Sequence, residues 1–291
     1  MTGTARYSVA LAFGLIFFAA SHAATRQLSI APSLTNELIR TTDPHHLILY
    51  DPAGRQGKLL VWLPGTGGKP DKGPQQIYQT ALEQGYRVIG LSYVDEPAVA
   101  QVCVGQRNKD EPGCAEKFRQ KRAFGDNVTA LIDDQPQDAI VSRLSKLLQH
   151  LVTADKEGQW GKYLTGTRLR WESIVLAGQS QGGGMAAFIA KRERVARVIV
   201  FSGGWDKDAQ GQIAGWYRMP SATPPELWYA TYHVEEKQAK TMEEIYRALG
   251  LPPENVKPLD LPVHGNTAHG EGIHNPAYKA WWVKALGQGL D

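Results

Sequence analysis

Cysteine is scarce in this sequence, since its 291 residues contain only Cys103 and Cys114. The two lie in a polar stretch that also contains Gly105, Pro112 and Gly113. A metal site would need more ligands than this stretch offers, and a catalytic thiol would not need a partner. In an exported protein, an isolated pair so close in sequence is typical of one disulfide that pins a surface loop. We therefore expect a Cys103–Cys114 disulfide and no catalytic cysteine.

The chain also lacks a large excess of either positive or negative charge. Lys and Arg number 32 against 29 Asp and Glu, which gives a formal net charge of +3. So small and dispersed a charge gives no indication of nucleic acid or an acidic membrane surface as a partner. The composition is globular, with 42% hydrophobic and 21% charged residues. Without repeats, low-complexity tracts or linkers, the chain is expected to form one domain over residues 24–291.

The apolar run 9–20 is well below the roughly 20 residues that a bilayer crossing needs, which disfavours an uncleaved anchor helix. It follows Arg6 and is itself followed by small residues at the third and first positions before Ala24. These features are typical of a cleavable secretory signal. No cysteine stands directly after the run, so lipid attachment at that point is not indicated. We expect residues 1–23 to be a signal peptide cleaved near Ala23, and the mature protein to be secreted or periplasmic without stable membrane insertion.

From residue 46 onward, short apolar runs alternate with longer amphipathic ones, a pattern that predicts a mostly parallel sheet with crossover helices. The predicted strands are 46–50, 59–63, 87–92, 174–177, 197–201, 227–233 and 256–261. The predicted helices are 75–84, 138–152, 181–192, 241–249 and 276–286. Segments 93–137 and 203–225 interrupt this alternation after strand ends, where ligands bind in open parallel sheets. The second segment is too short for a large helical cap, so a fairly open site is expected.

The pentapeptide GQSQG, residues 178–182, directly follows the fourth predicted strand. A serine two residues from glycine on either side, between a strand and a helix, is the arrangement that raises a hydroxyl on a sharp turn. The serine backbone in such a turn is strained, and a Cβ at either glycine would collide with the neighbouring strand or helix. Ser180 is therefore the candidate nucleophile.

A serine hydroxyl attacks a carbonyl only when a base takes its proton, so a histidine and an orienting carboxylate should follow. In a sheet of this order, the acid is expected after the second strand beyond the nucleophile. Glu236 lies in the turn just past that strand, 227–233, and Glu235 is the near alternative. Asp206, past the preceding strand, is a third candidate because some enzymes supply the acid one strand earlier. Any of these carboxylates could also simply be solvated on a polar loop.

Three histidines lie in the glycine-rich stretch 263–275, between the last strand and the last helix. The base needs a loop long enough to bring its imidazole over the serine. His269 lies midway in this loop and is the predicted base, with His274 as the alternative. His264 is closest to the strand end, and at least two of the three histidines are expected to be structural or surface residues.

Stabilising an oxyanion requires two backbone N–H groups aimed at one point. The first is expected from Gln181, where the helix after the nucleophile begins and free amides favour negative charge. The second is expected from Thr66 in the loop PGTGG, residues 64–68, whose glycines let the backbone approach closely. A phosphate-binding loop is the competing interpretation, but Lys69 does not follow the GxxxxG spacing that such a loop needs.

The chain resembles the α/β-hydrolase superfamily over roughly residues 46–290, and it is most similar in type to secreted bacterial esterases and lipases. The resemblance rests on the order of the strands, the elbow, the glycine loop, the late acid and the final histidine. The stretch AGQSQGGGMAAFIA is similar to the GHSQGG form common among bacterial members, with Gln179 where histidine is usual. The loop PGTGG replaces the HG loop of many esterases, and a glutamate acid is a minority choice. The resemblance implies a mostly parallel central sheet with helices on both faces, no large cap domain and no cofactor. It also implies a catalytic triad of Ser180, Glu236 and His269, with oxyanion donors at Thr66 and Gln181.

We expect a secreted serine hydrolase that cleaves a small-molecule or polymer carboxylic ester through an acyl-enzyme. One alternative is a catalytically silent binding protein that keeps the fold, and another is an acyltransferase or peptidase on the same scaffold. Four aromatic residues could line an apolar pocket, although tryptophans near strand ends more often serve packing: Trp205, Trp216, Trp228 and Tyr229. No feature of the sequence specifies an oligomeric state.

Overall fold

A computed structural model describes residues 25–39, 43–55, 57–264 and 267–290. The expected signal peptide, residues 1–23, lies outside the described residues. Within the described ranges, no helix combines the length and apolar character that crossing a membrane requires.

The described residues form ten strands, which in chain order are β1 (Arg26–Ile30), β2 (His46–Tyr50), β3 (Leu59–Leu63), β4 (Arg87–Gly90), β5 (Leu164–Thr165), β6 (Arg168–Leu169), β7 (Ile174–Gln179), β8 (Arg197–Phe201), β9 (Trp228–His233) and β10 (Val256–Leu259). Eight of them make one sheet in the order β1-β2-β4-β3-β7-β8-β9-β10. The β1/β2 and β2/β4 pairs are antiparallel, and the others are parallel. β5 and β6 pair only with each other, as a small antiparallel hairpin.

All seven predicted strands are present in the sheet, three with the predicted ends and four with one end shifted by one or two residues. β1 is the strand of this eight-stranded sheet that the sequence analysis missed, and the hairpin strands β5 and β6 were not predicted either. β1 lies at the sheet edge, and its burial pattern is mostly exposed, so it lacks the apolar run by which the other strands were predicted. β7 extends to Gln179 and so leads directly into the serine of the elbow.

Ten α-helical segments flank or extend the sheet: α1 (Pro32–Thr35), α2 (Gln75–Glu83), α3 (Val99–Val102), α4 (Gly105–Asp110), α5 (Cys114–Phe124), α6 (Ile140–Ala154), α7 (Gln181–Arg192), α8 (Ala239–Ala248), α9 (Glu271–His274) and α10 (Lys279–Leu286), counting described residues only. α6 begins later than the predicted helix 138–152 because Ala139 adopts an extended ψ of 141° and separates it from a preceding 3₁₀ turn. The predicted helix 276–286 likewise begins with a 3₁₀ turn before α10.

Two apolar layers cover the two faces of the sheet. Because side chains alternate along a strand, Leu59, Val61 and Leu63 of β3 enter one layer, while Leu60 and Trp62 enter the other. The first layer packs against α5, α6, α7 and α8, and the second against α2 and α10. The prediction of a mostly parallel sheet with helices on both faces is therefore confirmed.

The segment 93–137 contains α3, α4 and α5, which the sequence analysis did not predict. The expected disulfide is present: Cys103 and Cys114 are bonded, with their Cα atoms 5.6 Å apart. It ties the end of α3 to the start of α5 across α4. In segment 203–225, Trp216 is only 1% exposed and packs in the core. The described part of this segment forms an isolated bridge and a 3₁₀ turn and no large cap.

Candidate active site

Ser180 occupies the turn between β7 and α7 with φ 57° and ψ −121°, a backbone conformation that few non-glycine residues adopt. A Cβ added at Gly178 would lie 2.5 Å from the carbonyl carbon of Gly182. A Cβ added at Gly182 would overlap the carbonyl oxygen of Leu63 on β3. The two flanking glycines are thus required by the close approach of strand, turn and helix, which is the physical reason for the G-x-S-x-G spacing.

The glycine loop after β3 crosses directly over this turn. A Cβ at Gly65 would lie 3.2 Å from the Cβ of Ser180 and 2.6 Å from the side-chain oxygen of Gln179. The amide of Gly68 donates to the carbonyl of Gly65 at 2.9 Å, which closes a turn with Thr66 at its exposed tip. Gln181 begins α7 immediately after the serine. Both expected oxyanion donors therefore flank Ser180.

Glu236 lies in the turn after β9 and is only 8% exposed. Its Oε1 accepts hydrogen bonds from the hydroxyl of Ser202 at 2.6 Å and from the backbone N–H of His233 at 2.7 Å. Its Oε2 lies 2.6 Å from Nδ1 of His269. A buried carboxylate held by two donors and bound to an imidazole nitrogen fixes the orientation of that ring.

His269 is positioned beside the elbow by two further contacts. The side-chain amide of Gln179 donates to the backbone carbonyl of His269 at 3.2 Å. The ring of Trp205 packs edge-on against the imidazole, with centroids 5.4 Å apart. Because Gln179 directly precedes Ser180, the loop that carries His269 is anchored to the turn that carries the serine. This contact gives the unusual Gln179 of the elbow a role.

The alternative acids have other partners, and the alternative base His274 lines a cavity with Gly65, Thr66 and Gln179. Asp206 is buried, and its carboxylate accepts from Nε and Nη2 of Arg119 at 2.6 and 2.7 Å. Glu235 is exposed, and its backbone N–H donates to Nδ1 of His233. His274 ends α9 on the surface, and the side chain of His264 is 69% exposed. The structure therefore brings Glu236, rather than Asp206 or Glu235, together with His269.

A small cavity adjoins the serine, and a larger groove adjoins that cavity. The smaller one, about 40 Å³, is lined by Thr66, Ala98, Ala100, Arg119, Ser180, Gln181, Gly204, Trp205 and Asp206. A groove of about 340 Å³ shares Ala100, Trp205 and Asp206 with it and is bordered by Cys103 of the disulfide. The disulfide-pinned segment and Trp205 thus form the walls of the site, whereas Trp228 is 1% exposed and packs in the core.

Sequence reasoning missed Ser202 and Arg119. Ser202 follows β8 with φ 42°, and this uncommon conformation accompanies the hydrogen bond from its hydroxyl to Glu236. The only sequence feature that could have indicated its role is its position as a small polar residue directly before the two glycines 203–204. Arg119 had no local signal, because its partner Asp206 is 87 residues away in the chain.

One titratable group near the glycine loop has a shifted pKa. Burial raises the pKa of the Asp95 carboxyl to about 6, and the neighbouring Glu96 adds to the effect. Backbone hydrogen bonds from Asp95 itself and from Gly68 oppose it. The described residues contain no cluster of three His, Cys, Asp or Glu side chains that could hold a metal ion.

No protein-family model matches this chain, and no curated protein matches it. Among solved structures, it is similar to a bacterial heroin esterase at 16% identity and TM-score 0.51, covering 93% of this chain and 86% of that one. It is also similar to S-formylglutathione hydrolase from Staphylococcus aureus at 12% identity and TM-score 0.50, covering 94% and 100% of the two chains. At such identities the likeness concerns the fold. Together with the strand order and the elbow, it identifies the α/β-hydrolase fold that the sequence predicts.

Proposed function

We propose that the protein is a serine hydrolase that cleaves carboxylic esters through an acyl-enzyme, with Ser180, His269 and Glu236 as its triad. The observation that carries this proposal is the bond between Nδ1 of His269 and buried Glu236, anchored through Gln179 to the strained turn of Ser180. The similarity to solved structures supports the fold alone, and the proposed activity is argued from the contacts among Ser180, His269, Glu236 and Gln179 in this chain.

In the proposed reaction, the Ser180 hydroxyl attacks the ester carbonyl while Nε2 of His269 takes its proton. Glu236 accepts the Nδ1–H of His269, which keeps Nε2 free to act as the base and stabilises the imidazolium. The backbone N–H groups of Gln181 and Thr66 stabilise the oxyanion. His269 then returns the proton to the departing alcohol. Water, activated by the same imidazole, hydrolyses the acyl-enzyme to a carboxylic acid and restores the serine.

We further propose that this chemistry takes place outside the cytoplasm, after removal of residues 1–23. The disulfide supports this location, because such bonds persist mainly in oxidising compartments. Expression of the full chain in a Gram-negative host, followed by fractionation and N-terminal sequencing, tests it. We expect mature protein that begins at Ala24 in the periplasm or medium. Uncleaved protein in the cytoplasm would contradict the proposal.

The catalytic proposal is tested by labelling the mature protein with a fluorophosphonate probe and mapping the modified peptide. Wild type is expected to label at Ser180 and to hydrolyse p-nitrophenyl acetate, and Ser180→Ala is expected to lose both properties. Ser33→Ala, at an exposed serine on α1, is the matched control and should retain both. Equal labelling of Ser180→Ala and wild type, or wild type without any turnover, would overturn the proposal and favour a silent binding protein.

A further inference from the structure

The chain that follows β4 runs beside the glycine loop that follows β3. The backbone N–H of Leu91 donates to the carbonyl of Trp62 on β3 at 2.9 Å. The N–H of Ser92 donates to Nδ1 of His46 on β2 at 3.0 Å. Because β3 and β4 are parallel neighbours, the segments that leave their carboxyl ends lie at the same edge of the sheet. Tyr93 therefore extends from a backbone that is bound to two strands, next to the glycine loop.

The hydroxyl of Tyr93 binds the first residue of that loop. Tyr93 is only 4% exposed, and its hydroxyl donates to the carbonyl of Pro64 at 2.8 Å. Pro64 directly follows β3 and is itself buried, so its carbonyl needs a partner beyond the hydrogen bonds of the strand. Burial raises the pKa of the Tyr93 phenol above its ordinary value, and the charge of Asp95 adds to the effect. The hydroxyl therefore stays protonated and remains a donor.

The Pro64 carbonyl also lies against the turn that carries the candidate nucleophile. A Cβ added at Gly182 would lie 2.4 Å from the oxygen of Pro64. A Cβ added at Gly65 would lie 3.2 Å from the Cβ of Ser180. The peptide between Pro64 and Gly65 is thus the point at which Tyr93, the glycine loop and the elbow meet.

Two successive peptide groups of the loop are held by hydrogen bonds. Tyr93 binds the carbonyl of Pro64, and the N–H of Gly68 binds the carbonyl of Gly65 at 2.9 Å. A trans peptide is planar and its N–H points opposite to its C=O, so the second bond also sets the direction of the N–H of Thr66. Three of the five loop residues are glycine, the residue with the greatest backbone freedom. Such a loop depends on contacts from outside to keep one conformation.

We propose that Tyr93 is a positioning residue for the oxyanion site, because its hydroxyl holds the Pro64 carbonyl and so keeps the N–H of Thr66 aimed at the oxyanion. The inference rests on the proposed ester hydrolysis, in which Thr66 and Gln181 supply the two donors. Tyr93 acts through the loop and not on the substrate. Without its hydroxyl, the peptide between Pro64 and Gly65 is free to rotate, and the donor loses the fixed direction on which stabilisation of the transition state depends.

The test is Tyr93→Phe, which removes the hydroxyl and keeps the ring. Assays with p-nitrophenyl acetate are run at about 15 °C, near the temperature of maximum stability. We expect kcat to fall about tenfold and KM to change by less than about twofold, because the lost contact serves the transition state more than the bound ester. Removal of an oxyanion donor costs roughly 10²- to 10³-fold, and the loss is smaller here because the N–H of Thr66 is misdirected rather than absent.

Two further measurements separate positioning from a loss of stability. Rates are expressed per molecule labelled to completion by the fluorophosphonate, so unfolded protein is not counted. With trifluoroacetone as inhibitor, the oxygen of Ser180 adds to the carbonyl carbon, the serine proton passes to His269, and the carbonyl oxygen becomes an oxyanion. The inhibition constant of this ketone should rise by the same factor of about ten in Tyr93→Phe. A purely structural role would lower the free energy of unfolding and leave both quantities unchanged.

Tyr163→Phe is the matched control. Tyr163 is fully buried, and its hydroxyl donates to the carbonyl of Gly57 at 2.7 Å, just before β3 begins. The two tyrosines thus bind backbone carbonyls at opposite ends of the same strand, and Tyr93 is the one beside the elbow. Tyr163→Phe should lose a comparable amount of folding stability in urea and keep the wild-type kcat, KM and inhibition constant.

Failure of the positioning role and failure of the proposed function give different results. A wild-type kcat and inhibition constant in Tyr93→Phe, or equal losses in Tyr163→Phe, overturn the positioning role while Ser180-dependent turnover by wild type persists. Absence of Ser180-dependent turnover by wild type overturns the proposed function, and the positioning role with it.

Discussion

Two buried carboxylates follow consecutive strands of the sheet, Asp206 after β8 and Glu236 after β9, yet they have different partners. Asp206 is bound by both Nε and Nη2 of Arg119 and also accepts from the indole N–H of Trp216 at 3.0 Å. Glu236 accepts at Oε1 from two neutral donors, and its Oε2 contacts Nδ1 of His269. Position after a strand makes both carboxylates candidates, and the partner decides what each can do. A carboxylate saturated by an arginine has little capacity left to orient an imidazole.

The sharpest test of this comparison is Glu236→Gln. The Gln oxygen can still accept from Ser202 and His233, which places the amide NH₂ towards Nδ1 of His269. Nδ1 must then accept, so Nε2 carries the proton and cannot act as the base. We expect kcat for p-nitrophenyl acetate to fall about 10³- to 10⁴-fold, equivalent to about 4–5 kcal/mol, without a comparable loss of folding stability.

The control for Glu236→Gln is Glu235→Gln, one residue earlier on an exposed position. It should keep kcat within about twofold, since surface substitutions away from special features have small effects. A large loss of kcat in Glu235→Gln with little loss in Glu236→Gln would reverse the assignment of the acid.

The next largest effect is expected for Asp206→Asn, and it concerns stability. This substitution leaves Arg119 as a buried cation without a carboxylate partner, and breaking a buried pair in this way costs about 3–5 kcal/mol. Urea unfolding should show a marked fall in the free energy of unfolding, whereas Glu236→Gln should lose much less. The two substitutions would then separate a carboxylate that supports folding from one that supports catalysis.

A paired substitution controls for this result. In Arg119→Met/Asp206→Asn no buried charge is left unpaired, so the double variant should be more stable than Asp206→Asn alone. If Asp206→Asn unfolds at the same urea concentration as wild type, the Arg119–Asp206 pair does not contribute to the stability of the fold.

The local features of the site could be predicted from sequence, because their physical causes lie within a few residues. The turn at Ser180 needs small neighbours at fixed spacing, and the glycine loop directly follows an apolar strand. The predicted positions of Ser180, Thr66 and Gln181 depend on such short-range rules. The fold followed in the same way from the alternation of apolar runs, with β1 missed because an exposed edge strand carries no such run.

The choice among acids could not be predicted in the same way, because it depends on contacts between distant segments. Whether Asp206 is free or saturated is determined by Arg119, in an insertion without a recognisable pattern. Ser202 and Gln179, which hold Glu236 and the His269 loop, acquire their roles only when β8, β9 and the histidine loop meet. The nearest sequence signal of Arg119 was Gly184, whose missing side chain leaves space for the guanidinium.

A third carboxylate, Asp95, can be compared with Asp206 and Glu236, and it is expected to have the smallest effect, a pH-dependent change in folding stability. Its folded pKa of about 6 exceeds the ordinary value of 3.8, so the folded state binds its proton more tightly than the unfolded state does. Stability is therefore lost as the pH rises from about 4 through about 6, the reverse of the trend for a carboxylate that is stabilised by a cation. Because Asp95 is only partly buried, solvent screening reduces the effect to about 1 kcal/mol.

Asp95→Asn removes this loss, since the amide stays neutral and its oxygen can still accept from the backbone of Gly68. Thermal unfolding at pH 4, 6 and 8 should show equal midpoints for the variant and wild type at pH 4, and a variant about 2–4 °C more stable at pH 8. Asp133→Asn, at an exposed aspartate in the same segment, should show no such pH-dependent gain. A destabilisation of Asp95→Asn that grows with pH would mean instead that the carboxylate is held by its hydrogen bonds, as Glu236 is, and that burial does not dominate its environment.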